Sequence, residues 1–142
     1  MTHAAFAAAG APGSSIAGTA YRPGVCNIGP AEIERRRRSG HVGVVATVAL
    51  FAVLVAIDAP PPVRLIVGLP ATVAGSGYLQ ARFRFCAGFG SRGIYNFDEV
   101  GQTMQVVDDD ARRRDRTKAR QIGLGGLAIG AAVGVVAALL PI

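Results

Sequence analysis

Residues 35–57 of the chain, RRRRSGHVGVVATVALFAVLVAI, place four consecutive arginines directly before a segment that has no charged side chain until Asp58. About 17 to 25 apolar residues are needed to cross the roughly 30 Å hydrocarbon core of a bilayer. A segment inside a bilayer must satisfy its own backbone hydrogen bonds, so it is helical. The stretch therefore predicts a transmembrane helix over about residues 41–57, with the arginines as the anchor at its first end.

Two further apolar runs follow. Residues 64–80 form a short run rich in Gly and Ala and containing a proline, a composition that membrane helices tolerate where they pack against neighbours. Residues 121–141 form a third run, in which Gly126, Gly130 and Gly134 share one helix face that another helix can approach closely. We therefore predict an all-α membrane protein with three transmembrane helices.

The remaining segments precede or connect these helices. Residues 1–29 are rich in Ala, Gly, Ser and Pro and predict an irregular cytoplasmic segment, whereas residues 30–142 form the membrane domain. Pro30 suits the first turn of a helix. The juxtamembrane loop, residues 81–120, is expected to contain a short hairpin and a helix capped by Asp108.

Two local features predict details of the first helix and of the turn that follows it. Ser39 and Gly40 predict a bend between an interfacial part and the spanning part. Asp58 and Arg64 flank three prolines that cannot continue a helix. We expect these two charged side chains to pair in solvent, where an ion pair contributes little to stability.

The composition excludes an ordinary soluble domain, because 51% of the residues are hydrophobic and only 17% are charged. The net charge of +6 does not indicate a nucleic-acid partner, because the basic residues flank apolar runs instead of alternating with aromatic residues. We interpret them as topology signals and as contacts with anionic membrane lipid.

The basic residues are distributed unevenly around the three runs. Of the 15 Lys and Arg residues, five precede the first run, nine lie in residues 81–120, and Arg64 alone lies at the opposite end. Because positive residues concentrate in cytoplasmic segments, we predict a multi-pass protein of the bacterial plasma membrane. The N-terminus and the long loop are then cytoplasmic and the C-terminus is outside.

The candidate metal ligands are Cys26, His41, Cys86 and His3, which are all the cysteines and histidines of the chain and which share the predicted cytoplasmic side. Two thiolates and two imidazoles suit a tetrahedral zinc site, and they are also the ligand set of a Rieske-type [2Fe-2S] cluster. Alternatively, the cysteines pack as small apolar residues and the histidines bond to lipid or backbone. No constellation for nucleophilic catalysis is recognisable, so no catalytic residue is assigned.

Two stretches resemble the signature stretches of small actinobacterial membrane proteins: CNIGPAEIERRRRSGHVG (residues 26–43) and GSGYLQARFRFCAGFGSRGIYNF (residues 75–97). With its sidedness and ligand count, the chain is similar to a small membrane subunit of the actinobacterial succinate dehydrogenase whose membrane part holds a Rieske-type [2Fe-2S] cluster. The resemblance implies electron transfer from a cytoplasmic iron-sulfur subunit through this cluster to menaquinone. The ligands that it implies here are Cys26, His41, Cys86 and His3, with another subunit able to supply some of them.

Under this interpretation the chain is not catalytic alone and serves as a membrane anchor in an oxidoreductase complex. A second interpretation is a cofactor-free structural accessory subunit of another respiratory assembly, such as the cytochrome bcc-aa3 supercomplex. A third is a free-standing lipid-binding or stress protein, which would purify without partners.

Overall fold

The computed structural model describes residues 20–142, so that most of the predicted irregular segment lies outside the described residues. In this part of the chain the elements are α1 (Pro30–Ala56), α2 (Pro61–Arg64), a 3-10 turn (Leu65–Val67), α3 (Gly68–Phe83), α4 (Ala87–Arg92), β1 (Ile94–Tyr95), β2 (Met104–Gln105) and α5 (Asp109–Leu139). Two of these helices, α1 and α5, are long and apolar enough to cross a bilayer, and α3 is a third helix. The mostly helical fold agrees with the predicted class, and a third membrane span stays a prediction.

The first helix begins where the sequence predicts, with Pro30 in its first turn. It then runs to Ala56 as one continuous helix, and the bend predicted at Ser39 and Gly40 stays a prediction. A Cβ atom on Gly40 would lie 2.9 Å from the ring of Tyr78 on α3. The glycine therefore permits close packing between these two helices.

The predicted second apolar run is helical but not uniform. A 3-10 turn separates α2 from α3, just before Pro70. Proline has no N–H group, so the carbonyl of Ile66, four residues earlier, cannot accept the usual helical hydrogen bond. The tighter turn lies where the regular α-helical pattern is interrupted.

The third helix lies between α1 and α5 and packs extensively against both. On one side, a Cβ atom on Gly43 of α1 would lie 2.5 Å from the backbone nitrogen of Ala74. On the other side, a Cβ atom on Gly130 of α5 would lie 2.5 Å from the carbonyl oxygen of Gly68. The close-packing face predicted from the glycine repeat is therefore confirmed, and its partner is α3 of the same chain.

Arg64 does not pair with Asp58, so this prediction is wrong. The Arg64 side chain is buried, and its guanidinium donates to the carbonyl oxygens of Ala59 at 2.9 Å, Leu140 at 3.2 Å and Ile142 at 2.5 Å. The last carbonyls of a helix have no partner within the helix, and arginine offers five N–H donors. Arg64 therefore connects the turn after α1 to the end of α5.

Short elements cover the other end of the three helices. Strands β1 and β2 form the predicted hairpin as an antiparallel pair, and Ile28 joins its edge by a parallel bridge to Asn96. The Asp108 carboxylate accepts a hydrogen bond from the Ala111 backbone at 2.8 Å, which confirms the predicted cap. Because α5 begins directly after this cap, the part of the chain predicted as the loop 81–120 ends in regular helix.

The close approach of α5 to α3 predicts a strong difference between two glycines of α5. Replacing Gly130 with alanine should destabilise the fold by about 1–3 kcal/mol, because the new methyl group would overlap the α3 backbone. Gly123→Ala is the matched control, since nothing lies within 4 Å of a Cβ atom at that position. Unfolding titrations in mixed micelles, followed by circular dichroism, measure the free energy of unfolding of both variants. Equal stabilities would show that α5 does not pack on α3 through this face.

Candidate functional site

The two cysteines lie in segments that Asn27 joins. The Asn27 side chain accepts a hydrogen bond from the Cys86 backbone nitrogen at 2.7 Å and donates one to the Cys86 carbonyl oxygen at 3.1 Å. Cys26, next in sequence to Asn27, and Cys86 are both buried. The sequence separates the cysteines by about sixty residues, and the structure brings their backbones together.

The two thiols nevertheless have different surroundings. The sulfur of Cys86 accepts a hydrogen bond from Nη2 of Arg36 at 3.0 Å, and its side chain packs against Ile28 and Phe89. The sulfur of Cys26 lies 3.8 Å from the Ile28 carbonyl oxygen. Burial raises the pKa of the Cys26 thiol, and the positive charges of nearby arginines partly oppose this effect.

His41 lies on the exposed surface of α1, where its Nδ1 is 2.6 Å from the hydroxyl of Tyr78 on α3. The two rings also meet edge to face. Within residues 20–142, no group of three or more His, Cys, Asp or Glu side chains is placed to hold a metal ion. The described residues therefore do not form a cluster site by themselves. His3 lies outside the described residues, so the complete ligand set predicted from the sequence stays a prediction.

A buried polar cluster that the sequence analysis missed lies beside Cys86. Glu32 is fully buried, and its Oε1 accepts a hydrogen bond from the Asn96 side chain at 3.4 Å. Nη2 of Arg36 lies 3.6 Å from Glu32 Oε2, and the same nitrogen donates to Cys86. Arg36, one of the four anchoring arginines, is thus partly buried and contacts two buried side chains. The i, i+4 spacing of Glu32 and Arg36 is the sequence signal that indicates such a pair.

A second buried carboxylate holds the segment that precedes α1 against α5. Asp115 accepts hydrogen bonds from the Gly24 backbone nitrogen at 2.7 Å and from the Tyr21 hydroxyl at 2.8 Å. Burial, reinforced by the hydrogen bond to Asp115, raises the pKa of Tyr21. The Tyr21 ring also stacks on Tyr95 of the hairpin, with ring centroids 4.6 Å apart. These contacts explain why residues 20–29 are ordered although their composition predicts an irregular segment.

An apolar groove of about 480 Å³ lies between α1 and α5, with small residues of α3 at its floor. Val44 and Val48 of α1 line one side, and Ile129 and Val133 of α5 line the other. Apolar side chains thus form most of its wall.

Tyr78 and Arg82 line the groove near the C-terminal end of α3, and the Tyr78 hydroxyl is the group that His41 contacts. Thr47 also lines the groove, but its hydroxyl donates to the Gly43 carbonyl at 2.7 Å and is already used. The exposed surface of the groove is nevertheless almost entirely apolar, so the groove is suited to the apolar part of a ligand.

No protein-family model, no curated protein and no solved structure matches this chain. Any assignment of function therefore depends on the groove, on the polar cluster and on the resemblance of the two sequence stretches.

The buried position of Glu32 predicts a large stability difference between two glutamates of α1. Glu32→Ala should cost about 1–3 kcal/mol, because it removes the acceptor of the buried Asn96 amide and the counter-charge of the partly buried Arg36. Glu34→Ala is the control, since Glu34 makes equally spaced ion pairs with Arg37 and Arg38 in solvent, and its loss should cost at most about 1 kcal/mol. Denaturant titration in micelles compares the free energies of unfolding of the two variants. Similar losses of stability would contradict a structural role for the pair of Glu32 and Arg36.

Proposed function

We propose that this chain is a membrane-anchor subunit of a quinone-linked respiratory oxidoreductase, of the succinate:menaquinone type that its sequence resembles, and that its groove holds the quinone. The observation that carries this proposal is the apolar groove, with the hydrogen-bonded pair of His41 and Tyr78 beside it near the C-terminal end of α3.

The exposed surface of the long helices supports placement in a bilayer. In the most apolar window of α1 only 17% of the residues are buried, and in that of α5 only 28%. A helix in the core of a soluble protein would be mostly buried. Large apolar side chains such as Val45, Val53, Leu124 and Leu139 are more than half exposed, and lipid chains would cover them.

The chemistry of the groove suits an isoprenoid quinone. The isoprenoid tail is apolar, and the valines and isoleucine of the groove wall offer it an apolar surface. The quinone ring carries carbonyl oxygens that accept hydrogen bonds. When Nδ1 of His41 carries a proton and donates it to the Tyr78 oxygen, the Tyr78 hydroxyl is able to donate to a quinone carbonyl.

His41 and Tyr78 are also suited to supply a proton, which quinone reduction requires. Two electrons and two protons convert a quinone into a quinol, and in this proposal the electrons come from the iron-sulfur subunit of the complex. Because His41 and the Tyr78 hydroxyl are within hydrogen-bond distance, His41 is placed to deliver a proton through Tyr78 to the reduced quinone. A [2Fe-2S] cluster, when present, would supply one-electron transfer, and it would need ligands besides Cys26 and Cys86 from His3 or from another subunit.

The alternative is a cofactor-free structural subunit of another respiratory complex. The hydrogen bond from Arg36 to the Cys86 sulfur favours it, because a thiol held in this way within a packed cluster contributes to folding without a metal. Iron and acid-labile sulfide analysis of the complex isolated with this chain separates the two proposals.

The quinone proposal predicts that the Tyr78 hydroxyl contributes to binding. Tyr78→Phe should weaken the binding of a short-tailed menaquinone about three- to tenfold, which is the loss of one hydrogen bond. Tyr95→Phe is the matched control, because Tyr95 stacks on Tyr21 away from the groove. Titration of the purified chain in lipid nanodiscs measures the affinities. The proposal fails if no saturable binding occurs, or if the two variants bind equally.

The proposed orientation predicts the location of the C-terminus. If all three helical segments cross the bilayer and the basic end is cytoplasmic, a C-terminal alkaline phosphatase fusion should be active and a C-terminal fluorescent-protein fusion should be dark. The physical reason is that basic residues resist translocation. Fusion activities in intact cells measure this, and the opposite pattern would exclude the arrangement.

A further inference from the structure

We infer that the chain carries a binding site for the phosphate group of an anionic phospholipid, separate from the proposed quinone contact at Tyr78. The site is a pocket of about 310 Å³ between the segment before α1, the end of α3 and α5. Its basic side chains, called here the basic pocket, are Arg22, Arg82, Arg84 and Lys118.

The basic pocket lacks a counter-charge of its own. Among residues 20–142, none of its four basic side chains forms an ion pair with a carboxylate. The carboxylate of Asp115, which holds the adjacent Gly24, accepts hydrogen bonds from Gly24 and Tyr21 with its two oxygens. Positive charges that share a small pocket repel one another, and a bound anion relieves that repulsion.

Two of the basic residues have unusual local surroundings. Arg84 has φ of +52° at the end of α3, in the left-handed region that favours glycine. A side chain is strained in this conformation, and an arginine occupies the position despite the strain. The ammonium of Lys118 lies 4.1 Å from the centre of the Phe83 ring, so an aromatic face fixes its position.

The surroundings of the pocket indicate a lipid in preference to a soluble phosphate. Val25 and Phe83 line it and are 50% and 41% exposed, which provides apolar surface beside the charged groups. Arg82 lines both this pocket and the apolar groove, so the pocket lies at the boundary between the basic end and the apolar helices. Basic pockets at this depth between membrane helices suit the head groups of anionic lipids. The inference shares only the membrane placement with the proposed function and is independent of the quinone.

The test uses the full chain in detergent, with lipid binding followed by native mass spectrometry. Phosphatidylglycerol should bind more tightly than phosphatidylcholine. Arg84→Gly should weaken phosphatidylglycerol binding about fivefold, since one basic residue near a membrane surface contributes about 1 kcal/mol. The same variant should keep or raise thermal stability, because glycine is relaxed at this backbone conformation. Weaker lipid binding in a chain of unchanged stability separates a binding role from a structural one.

A matched pair of double variants tests the location of the site. Arg84→Gln with Lys118→Gln removes two charges from the pocket, and Arg116→Gln with Arg120→Gln removes two exposed charges of α5 that do not line it. The first pair should lose phosphatidylglycerol and the second should retain it. Equal losses of phosphatidylglycerol binding would mean that the lipid is attracted by the general positive charge of the chain, and they would overturn the inference.

A soluble phosphate compound tests the kind of ligand. If glycerol phosphate binds as tightly as phosphatidylglycerol, the pocket takes a soluble ligand and the proposal of a lipid is wrong. If quinone binding fails while this pattern holds, only the proposed function is lost.

Discussion

The structure depends on the approach of α3 to its two neighbours at backbone distance. In a bilayer, lipid chains are as apolar as the helix surfaces, so helices associate through close van der Waals contact instead of hydrophobic burial. Glycines of α1 and α5 supply this contact from both sides. Thr72 faces Gly130 in this interface, and its hydroxyl donates to the Gly68 carbonyl of its own helix, so that close packing leaves no unsatisfied polar group. Small residues of α3, namely Ala71, Ala74 and Gly75, also line the groove between α1 and α5.

The basic end of the molecule is held together by the opposite kind of chemistry. Asn27, Glu32, Asn96 and Asp115 are buried there, and their partners are backbone groups and side chains distant in sequence. Buried polar groups are costly unless they have partners, and the second oxygen of Glu32 has only the charge of Arg36 at 3.6 Å to offset its burial. The hydrogen bonds of the network connect the segment before α1, the hairpin and the start of α5. The result is a polar cap on an apolar bundle.

The sequence predicted the features whose signals are local. The length of the apolar runs predicted α1 and the helix of the third run. The glycine repeat predicted a packing face, and Asp108 predicted a helix start. It failed where partners are distant. Glu32 meets Asn96 across 64 residues and Arg64 meets Ile142 across 78, and neither pairing has a periodicity to detect. The groove is lined by residues of α1, α3 and α5, so it depends on how the three helices pack and not on a local sequence pattern. The proximity of the cysteine segments likewise depends on Asn27, a residue with no recognisable pattern.

The continuity of α1 has a mechanical consequence. Arg36, which binds the Cys86 sulfur, and His41, which meets Tyr78 at the groove, lie on one unbroken helix and are separated by about 7.5 Å along its axis. A shift of α1 along its axis would therefore change the Arg36 contact with the sulfur and the His41 contact with Tyr78 together. The interior thiol and the exposed imidazole are in this way coupled through one helix.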